Sequence, residues 1–174
     1  MENEVLKAIR QRRSVRKYQQ TQICQEELDA ILEAGTWAAS SLGAQSATMV
    51  VVQDRETIRR MSRGNAEVWG RPEANPFYDA PTAVVVLVKR DAPNWVQDGT
   101  LVMSNLMLAA HAVGVGSCWI NRTTEYFETE DGKALLESWK LPGEYRALAT
   151  CVLGYAEGPV GDPKPRKQDY IYRR

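Results

Sequence analysis

Four cations and a hydroxyl group are concentrated in one short segment near the start of the chain. The segment reads Arg12-Arg13-Ser14-Val15-Arg16-Lys17-Tyr18. Positive charges this close together repel one another unless an anion lies against them. A planar guanidinium group can bind two oxygens of a phosphate at once. The segment is therefore a candidate phosphate-binding site.

Two further segments contain residue types that suit a bound ligand. Near the far end, Lys164, Arg166 and Lys167 lie on a segment that prolines stiffen. The stretch Gly114–Asn121 has glycines, which let main-chain N–H groups approach a planar ligand, followed by Trp119. Each feature alone has a plain structural explanation, since basic turns are commonly solvated surface and Trp119 could be a core residue. Together they predict that three segments converge on one site.

Residues for nucleophilic or metal chemistry are not assembled in this sequence. Its three cysteines (Cys24, Cys118 and Cys151) have no CxxC spacing, and His111 is the single histidine. These residues support neither a disulfide framework nor a zinc site. We expect His111 to be structural and Cys118 to be a small buried hydrophobe. No catalytic side chain and no metal are assigned.

The overall charge and length limit the class of protein. Of the 174 residues, 22 are Lys or Arg and 22 are Asp or Glu, so the formal net charge is zero. Proteins that bind nucleic acid through charge normally have a basic excess over a whole face, which disfavours a nucleic-acid-binding module. The length fits one domain, and 44% hydrophobic residues suffice for a core. The N-terminal residues lack a secretion-signal pattern, which predicts a cytoplasmic protein without membrane attachment.

Hydrophobic periodicity predicts helices mixed with strands, without strict alternation. Helices are expected at Glu2–Arg12, Glu26–Ala38, Arg55–Ser62, Gly99–Val113 and Glu130–Trp139. Strands are expected at Met49–Gln53, Ala83–Val88, Ser117–Ile120 and Leu148–Tyr155. The mixture favours the α+β class, with an antiparallel or mixed sheet covered by helices, in one domain over residues 1–174. Residues 158–165 are expected to form a linker to a short tail.

The segment Thr100–Val113 has almost no polar face. A helix that is hydrophobic all round must be buried all round, and a domain of this size rarely buries one completely by itself. A second copy of the chain is therefore expected to cover one side, giving a homodimer with this helix at its centre. A central helix inside a monomer is the alternative.

Four motifs in order resemble the FMN-dependent nitroreductase family, and the likeness covers essentially the whole chain. Members typically have Arg-x-Ser-x-Arg/Lys after the first helix, matched here by Arg12, Ser14 and Arg16. The stretch Ala38–Ser46 corresponds to a family element after the second helix, and Gly114–Ile120 resembles Gly-Leu-Gly-Ser-Cys-Trp-Ile. The closing Lys-x-Arg is matched by Lys164 and Arg166.

The resemblance implies a nitroreductase-like fold, an intertwined homodimer and a set of FMN contacts. The phosphate and ribityl chain would be held by the cations and hydroxyl of the end segments, namely Arg12, Arg13, Ser14, Arg16, Lys164 and Arg166. The flavin would be reached from the partner subunit by Ser40, Ser41 and Gln45. Trp119, Ile120 and Asn121 would line the other side of the ring, with Asn65 as a further contact. The tail 158–174 would contact the partner subunit.

The resemblance also implies an activity that needs no protein nucleophile. NADH or NADPH would reduce FMN and leave, and an electron-poor acceptor of the nitroaromatic or quinone type would take its place. Departures from the family pattern occur at Ala39, Gly43, Ser46 and Ala47, where bulk and a polar contact beside the flavin are lost. They leave room for an FMN-binding carrier or sensor with little turnover. The stretch Trp69–Tyr78 is expected to be either part of a lid over the substrate or a packing loop.

Overall fold

Four antiparallel strands form one sheet whose two central strands are buried on both faces. In the computed structural model, which describes residues 1–174, the strands are β1 (Ala47–Val52), β2 (Thr82–Lys89), β3 (Gly116–Ile120) and β4 (Tyr145–Gly154). Their order is β1-β2-β4-β3, so β1 and β3 are the edges. Val84 and Val86 of β2 belong to one hydrophobic core and Val85 and Leu87 to the other, because successive side chains alternate between faces.

Two layers of helices cover the sheet. They are α1 (Glu4–Gln11), α2 (Gln25–Thr36), α3 (Arg55–Val68), α4 (Trp95–Ala112), α5 (Thr123–Tyr126) and α6 (Glu130–Ser138). Residues of α2 and α4 form the core on one face, and residues of α3, α5 and α6 form the core on the other. The α+β class and the antiparallel central sheet predicted from the sequence are confirmed. The short α5 had no signal in the periodicity.

The end of α3 lies six residues beyond its predicted end at Ser62. A glycine normally weakens a helix, and Gly64 follows that point. Here the glycine is needed, because a Cβ at Gly64 would lie 2.2 Å from the ring of Tyr126. The glycine thus allows the close approach of that ring, and the helix continues to Val68, so that Asn65 is a buried helical residue.

The apolar helix α4 is buried on one side only within a single chain. Val102, Met103 and Leu106 face the core with at most 7% of their surface exposed. Leu101 on the other side is 44% exposed, and Leu108 is half-buried. In a single chain, part of the apolar surface of this helix is therefore exposed to solvent. The homodimer expected from the sequence needs such a surface for the second copy to cover. No helix combines the length and hydropathy that crossing a bilayer needs.

Candidate functional site

The arginine segment after α1 lies along the free edge of the sheet. Ser14 forms a parallel bridge with Ser117 of the edge strand β3, and the Val15 N–H donates to the Ser117 carbonyl at 2.9 Å. Val15 lies against Gly116, where a Cβ would come within 2.8 Å of the valine side chain. Gly116 therefore permits the close approach, and the arginine segment does meet Gly114–Asn121.

The cations of this region divide into paired and unpaired ones. The outer ones are neutralised locally, since Arg10 lies 2.6 Å from Glu2 and Lys17 lies 3.3 Å from Glu157. The inner three have no acidic partner in the chain: Arg12, Arg13 and Arg16. Three neighbouring guanidinium groups without a counter-charge raise the electrostatic energy of the folded chain, and a bound anion would lower it.

Two nitrogens of these guanidinium groups are buried without a hydrogen-bond partner, Arg12 Nη1 and Arg13 Nε. Arg13 Nη1 donates to the carbonyls of Arg10 at 2.7 Å and Arg12 at 2.6 Å, so this side chain also caps the end of α1. A buried charged donor without an acceptor is unfavourable. The oxygens of a phosphate are the acceptors that the planar fork of an arginine suits.

The single histidine responds to the same positive charge. Burial, and then the nearby Arg12 and Arg13, hold the pKa of His111 below its ordinary value. His111 lies in the last turn of α4, so the arginines lie near that end of the helix. Burial raises the pKa of the Cys118 thiol despite the opposing effects of Arg16, Ser14 and Arg12. A protonated, buried thiol is a poor nucleophile, as expected from the sequence.

A cleft opens at the end of β3. It measures about 580 Å³ with its open mouth included, and it is lined by Asn65, Trp69, Pro76, Tyr78, Trp119, Ile120, Asn121 and Arg122. The structure thus brings together four of the candidate residues, namely Asn65, Trp119, Ile120 and Asn121. Three of the lining residues are aromatic, a composition that suits a planar ring.

Asn65 provides an unused hydrogen-bond acceptor in the wall of this cleft. The residue is fully buried, and its Nδ2 donates to the Met61 carbonyl at 2.9 Å. Its Oδ1 has no partner. A buried amide oxygen without a donor is unusual in a folded protein.

The stretch Trp69–Tyr78 packs against the core and also borders the cleft. Phe77 is 1% exposed and belongs to the core, as expected of a packing loop. Trp69, Pro76 and Tyr78 line the cleft, and a role of this stretch as a lid over the substrate stays a prediction.

The candidate residues Ser40, Ser41 and Gln45 lie in a loop that Asp98 organises. Asp98 is 4% exposed and accepts hydrogen bonds from the Ser41 N–H at 2.9 Å and from the Ser46 hydroxyl at 2.6 Å. Ser40 Oγ accepts from the Gln45 N–H at 2.9 Å. The loop turns through three residues with positive φ: Leu42 (53°), Gly43 (67°) and Gln45 (47°). Two of these are not glycine, so the loop is strained and Asp98 helps to hold it.

This loop and the arginine segment lie at opposite ends of α4. Asp98 is in the first turn of the helix and His111 is in the last. Thirteen residues of α-helix separate the two, which corresponds to about 20 Å. One chain therefore keeps Ser40, Ser41 and Gln45 away from Arg12, Ser14 and Arg16.

The C-terminal cations are not joined to the arginine segment within one chain. Residues 157–174 are all exposed, and no hydrogen bond or ion pair connects residues 158–174 to the rest of the molecule. The convergence of Lys164 and Arg166 with Arg12 therefore stays a prediction that concerns a second copy of the chain.

Sequence reasoning missed Asp98, Arg122, Trp69 and Tyr78 as individual residues of the site. The signal for Asp98 was present, because it is the one acidic residue within the apolar α4. Trp69 and Tyr78 belong to the stretch that the sequence left open as a lid or a packing loop, and Arg122 follows the candidate Asn121 directly, but no local pattern shows that these two segments meet.

Comparisons with known proteins agree with this architecture. The sequence model of the "Nitroreductase family" matches residues 9–155. A protein of Archaeoglobus fulgidus, provisionally named NADH dehydrogenase/NAD(P)H nitroreductase, is 35% identical over 96% of this chain and 90% of its own length. A protein of the same provisional name from Methanothermobacter thermautotrophicus is 31% identical over 90% of this chain and 80% of its own. The crystal structure of a nitroreductase with bound FMN from Bacteroides fragilis superposes with a TM-score of 0.91 and 29% identity, covering 99% of both chains.

The Asp98 contacts predict a large effect of one substitution. Asp98→Ala should lower the free energy of unfolding by about 2–4 kcal/mol, because two buried donors lose a charged acceptor. Asp98→Asn, which keeps one acceptor oxygen, should cost less. Urea denaturation measures the free energy of unfolding of both variants. An Asp98→Ala protein as stable as the unsubstituted chain would show that the carboxylate does not hold the loop.

Proposed function

The chain belongs to the nitroreductase family, and from that membership we propose that it is an FMN-containing oxidoreductase. In this proposal it oxidises NADH or NADPH and reduces electron-poor organic acceptors of the nitroaromatic or quinone type. The observation that carries the proposal is the group of three arginines, Arg12, Arg13 and Arg16, which have no acidic partner and lie against the strand that ends at an aromatic cleft.

The chemistry of these residues fits both ends of FMN. A phosphate bears a charge of about −2 near neutral pH and would supply acceptors to the partnerless Arg12 Nη1 and Arg13 Nε. Ser14 would add a hydroxyl donor. At the other end of β3, Trp119 and Ile120 would lie along the ring, and the free Asn65 Oδ1 would accept from a ring N–H.

The two regions are connected by a single strand. Ser117 is bridged to Ser14, and Asn121 at the cleft is four residues further along, which is about 13 Å in an extended chain. A ligand with a charged end, a short flexible linker and a planar ring would follow this edge of the sheet. Bound FMN would supply the redox chemistry there, while the protein holds the ligand, orients its ring and excludes water.

We also propose that the complete site forms between two copies. The separation along α4 keeps the Ser40–Ser46 loop away from the arginine segment of its own chain. Two copies that pack α4 in opposite directions would bring the loop of one to the arginines of the other. The single domain over residues 1–174, with residues 158–174 contacting the partner, belongs to the same proposal.

An exposed apolar surface around α4 supports this dimer. A groove there is lined mainly by apolar side chains, including Val5, Trp37, Leu108, Ala109 and Ala112. Trp37 is 78% exposed, Val5 is 60% exposed, and α1 buries none of its residues. Contiguous apolar surface of this kind marks a contact with another protein, and a second identical copy satisfies it symmetrically.

The function is tested with purified protein loaded with FMN. It should absorb visible light, and anaerobic NADH or NADPH should bleach that absorbance rapidly. Arg12→Ala should weaken FMN binding roughly tenfold to a hundredfold, because a charge-assisted hydrogen bond is lost. Arg10→Ala is the matched control, since Arg10 already pairs with Glu2.

Two results would contradict parts of this proposal. Equal FMN affinities of the Arg12→Ala and Arg10→Ala proteins would exclude the phosphate site. Bound flavin that does not bleach at a useful rate with either nicotinamide would favour a carrier or sensor over an enzyme.

The single histidine reports on the bound phosphate. Arg12 and Arg13 help to keep the pKa of His111 low in the free protein, so a phosphate that neutralises these arginines should raise it. Because the chain has one histidine, an NMR titration of its ring protons with and without FMN measures the change directly. Unchanged titration with bound FMN would place the phosphate elsewhere.

The dimer predicts a specific effect at Leu108. Leu108→Asp should give a folded monomer that binds FMN weakly, as measured by sedimentation and flavin titration. Leu106 is unsuitable for this test because it is fully buried in its own chain. Leu136→Asp is the matched control, since Leu136 is half-buried on α6 in the other layer. A Leu108→Asp protein that stays dimeric would exclude α4 from the interface.

A further inference from the structure

Arg71 lies over the ring of Trp69, a residue that lines the aromatic cleft, and no acidic group of the chain neutralises it. We propose that Arg71, held beside this cleft, selects ligands in which a planar aromatic ring is attached to an anionic group. The inference rests on the proposed function and specifies the ligands that enter the same site. Its basis is the placement of Arg71 on Trp69 and the fixed geometry of the surrounding loop.

The end of α3 determines where these two side chains lie. Trp69 caps the helix, and Gly70 turns the chain with a φ of 73°. The Arg71 N–H then donates to the Ala66 carbonyl at 2.9 Å, which closes the helix end in the manner of a Schellman motif. The Arg71 guanidinium lies 4.7 Å from the centre of the Trp69 ring. The cation is thus held over an aromatic residue that lines the cleft.

The stacked position leaves the binding edge of Arg71 available. A guanidinium group that stacks through its face on an indole keeps the N–H groups in its plane free. Arg71 makes no ion pair, although Glu67 and Glu73 lie close in the sequence. Arg122, the other cation at the cleft, lies 2.6 Å from Glu125 and is neutralised. Arg71 is therefore the unpaired cation beside the cleft.

The loop that follows Arg71 is held in place. The Ala74 N–H donates to the Arg71 carbonyl at 2.9 Å, and the Ser62 hydroxyl donates to Asn75 Oδ1 at 3.0 Å. Phe77 fixes the far end in the core. A loop tied to α3 and to the core presents its side chains in one arrangement, so a ligand does not have to order it.

The backbone at Tyr78 is strained in a way that serves the cleft. Tyr78 and Asp79 both have a φ of 56°, and their turn is closed by the Ala80 N–H donating to the Phe77 carbonyl at 3.1 Å. Positive φ at two successive residues suits Asn or Gly and is unfavourable for a tyrosine. Such strain is found mainly at binding sites. Here the strained residue Tyr78 is one of those that line the cleft.

Two kinds of ligand in the proposed reaction have this chemistry. A reduced nicotinamide dinucleotide joins a planar ring to phosphates. An aromatic acceptor with a carboxylate, sulfonate or phosphate substituent does the same. In both, the ring would lie between the aromatic walls while an oxygen of the anion meets Arg71.

The test compares charged and neutral ligands in each half-reaction of the FMN-loaded enzyme. In the reductive half, stopped-flow bleaching is measured with NADH and with uncharged 1-benzyl-1,4-dihydronicotinamide. In the oxidative half, reoxidation is measured with a naphthoquinone and its sulfonated analogue. For each half-reaction, the second-order rate constant with the charged ligand is divided by the rate constant with the neutral ligand. This ratio is then compared between variants, so that differences in the intrinsic reactivity of the ligands cancel.

Arg71→Gln should lower this ratio in at least one half-reaction. The expected drop is roughly fivefold, as for a unit charge about 4 Å away in water-like surroundings. It should shrink at high ionic strength. Arg59→Gln is the matched control. Arg59 lies on α3, outside the cleft, and like Arg71 it is an exposed arginine without an ion pair. The half-reaction that responds identifies the source of the anion.

Three results would overturn the inference. The first is that Arg71→Gln changes neither ratio, and the second is that Arg59→Gln changes the ratios equally, which would indicate a general effect of net charge. In both cases the flavin still turns over and the proposed function stands. The third is that FMN-loaded protein reacts with none of the four ligands, which would overturn the proposed function and this inference together.

Discussion

The arrangement of this protein depends on positive charge that the chain itself does not neutralise. Arg12, Arg13 and Arg16 are brought together at the end of α1, while the neighbouring Arg10 and Lys17 each find an acidic partner. Self-repulsion of the inner arginines and the two partnerless nitrogens raise the energy of the chain by itself. A chain with a net charge of zero thus places three neighbouring arginines without a counter-charge in one short segment, and a dianionic ligand would neutralise them most directly.

The edge strand β3 connects the arginine segment to the aromatic cleft. An edge strand has unpaired backbone groups on one side, and the segment through Ser14 and Val15 uses part of that side. The same strand ends at Trp119 and Ile120 in the cleft wall. In the proposed complex, phosphate binding at one point and ring binding at another would therefore both depend on one rigid element, which is how a scaffold orients a cofactor without supplying the reacting group.

The long helix α4 keeps apart two groups of residues that one FMN site would need, the Ser40–Ser46 loop and the arginine segment. Its first turn holds the strained loop through Asp98, and its last turn lies beside the arginines through His111. A stiff element of about 20 Å between these points cannot bend to bring them together. The proposed dimer resolves this separation by symmetry and covers the exposed apolar side of the same helix.

The departures from the family pattern at Gly43 and Ser46 fall in the loop that Asp98 holds. Ser46 has a structural use there, since its hydroxyl binds Asp98.

Local patterns in the sequence were enough to establish the class of fold and the main helices and strands, and they supplied the candidate residues for a phosphate and a planar ring. These features depend on local periodicity and on side-chain chemistry, and both can be recognised from residues that are close together in the sequence. Ordered motifs at compatible spacing were enough to identify the family resemblance. Only the tertiary structure shows why α3 contains Gly64, since the Tyr126 ring occupies the space that a Cβ would need. It also shows that Asp98 anchors a loop more than fifty residues away and that Arg71 lies over Trp69, a residue of the cleft. Contacts of this kind depend on how distant segments meet, and no local pattern in the chain encodes them.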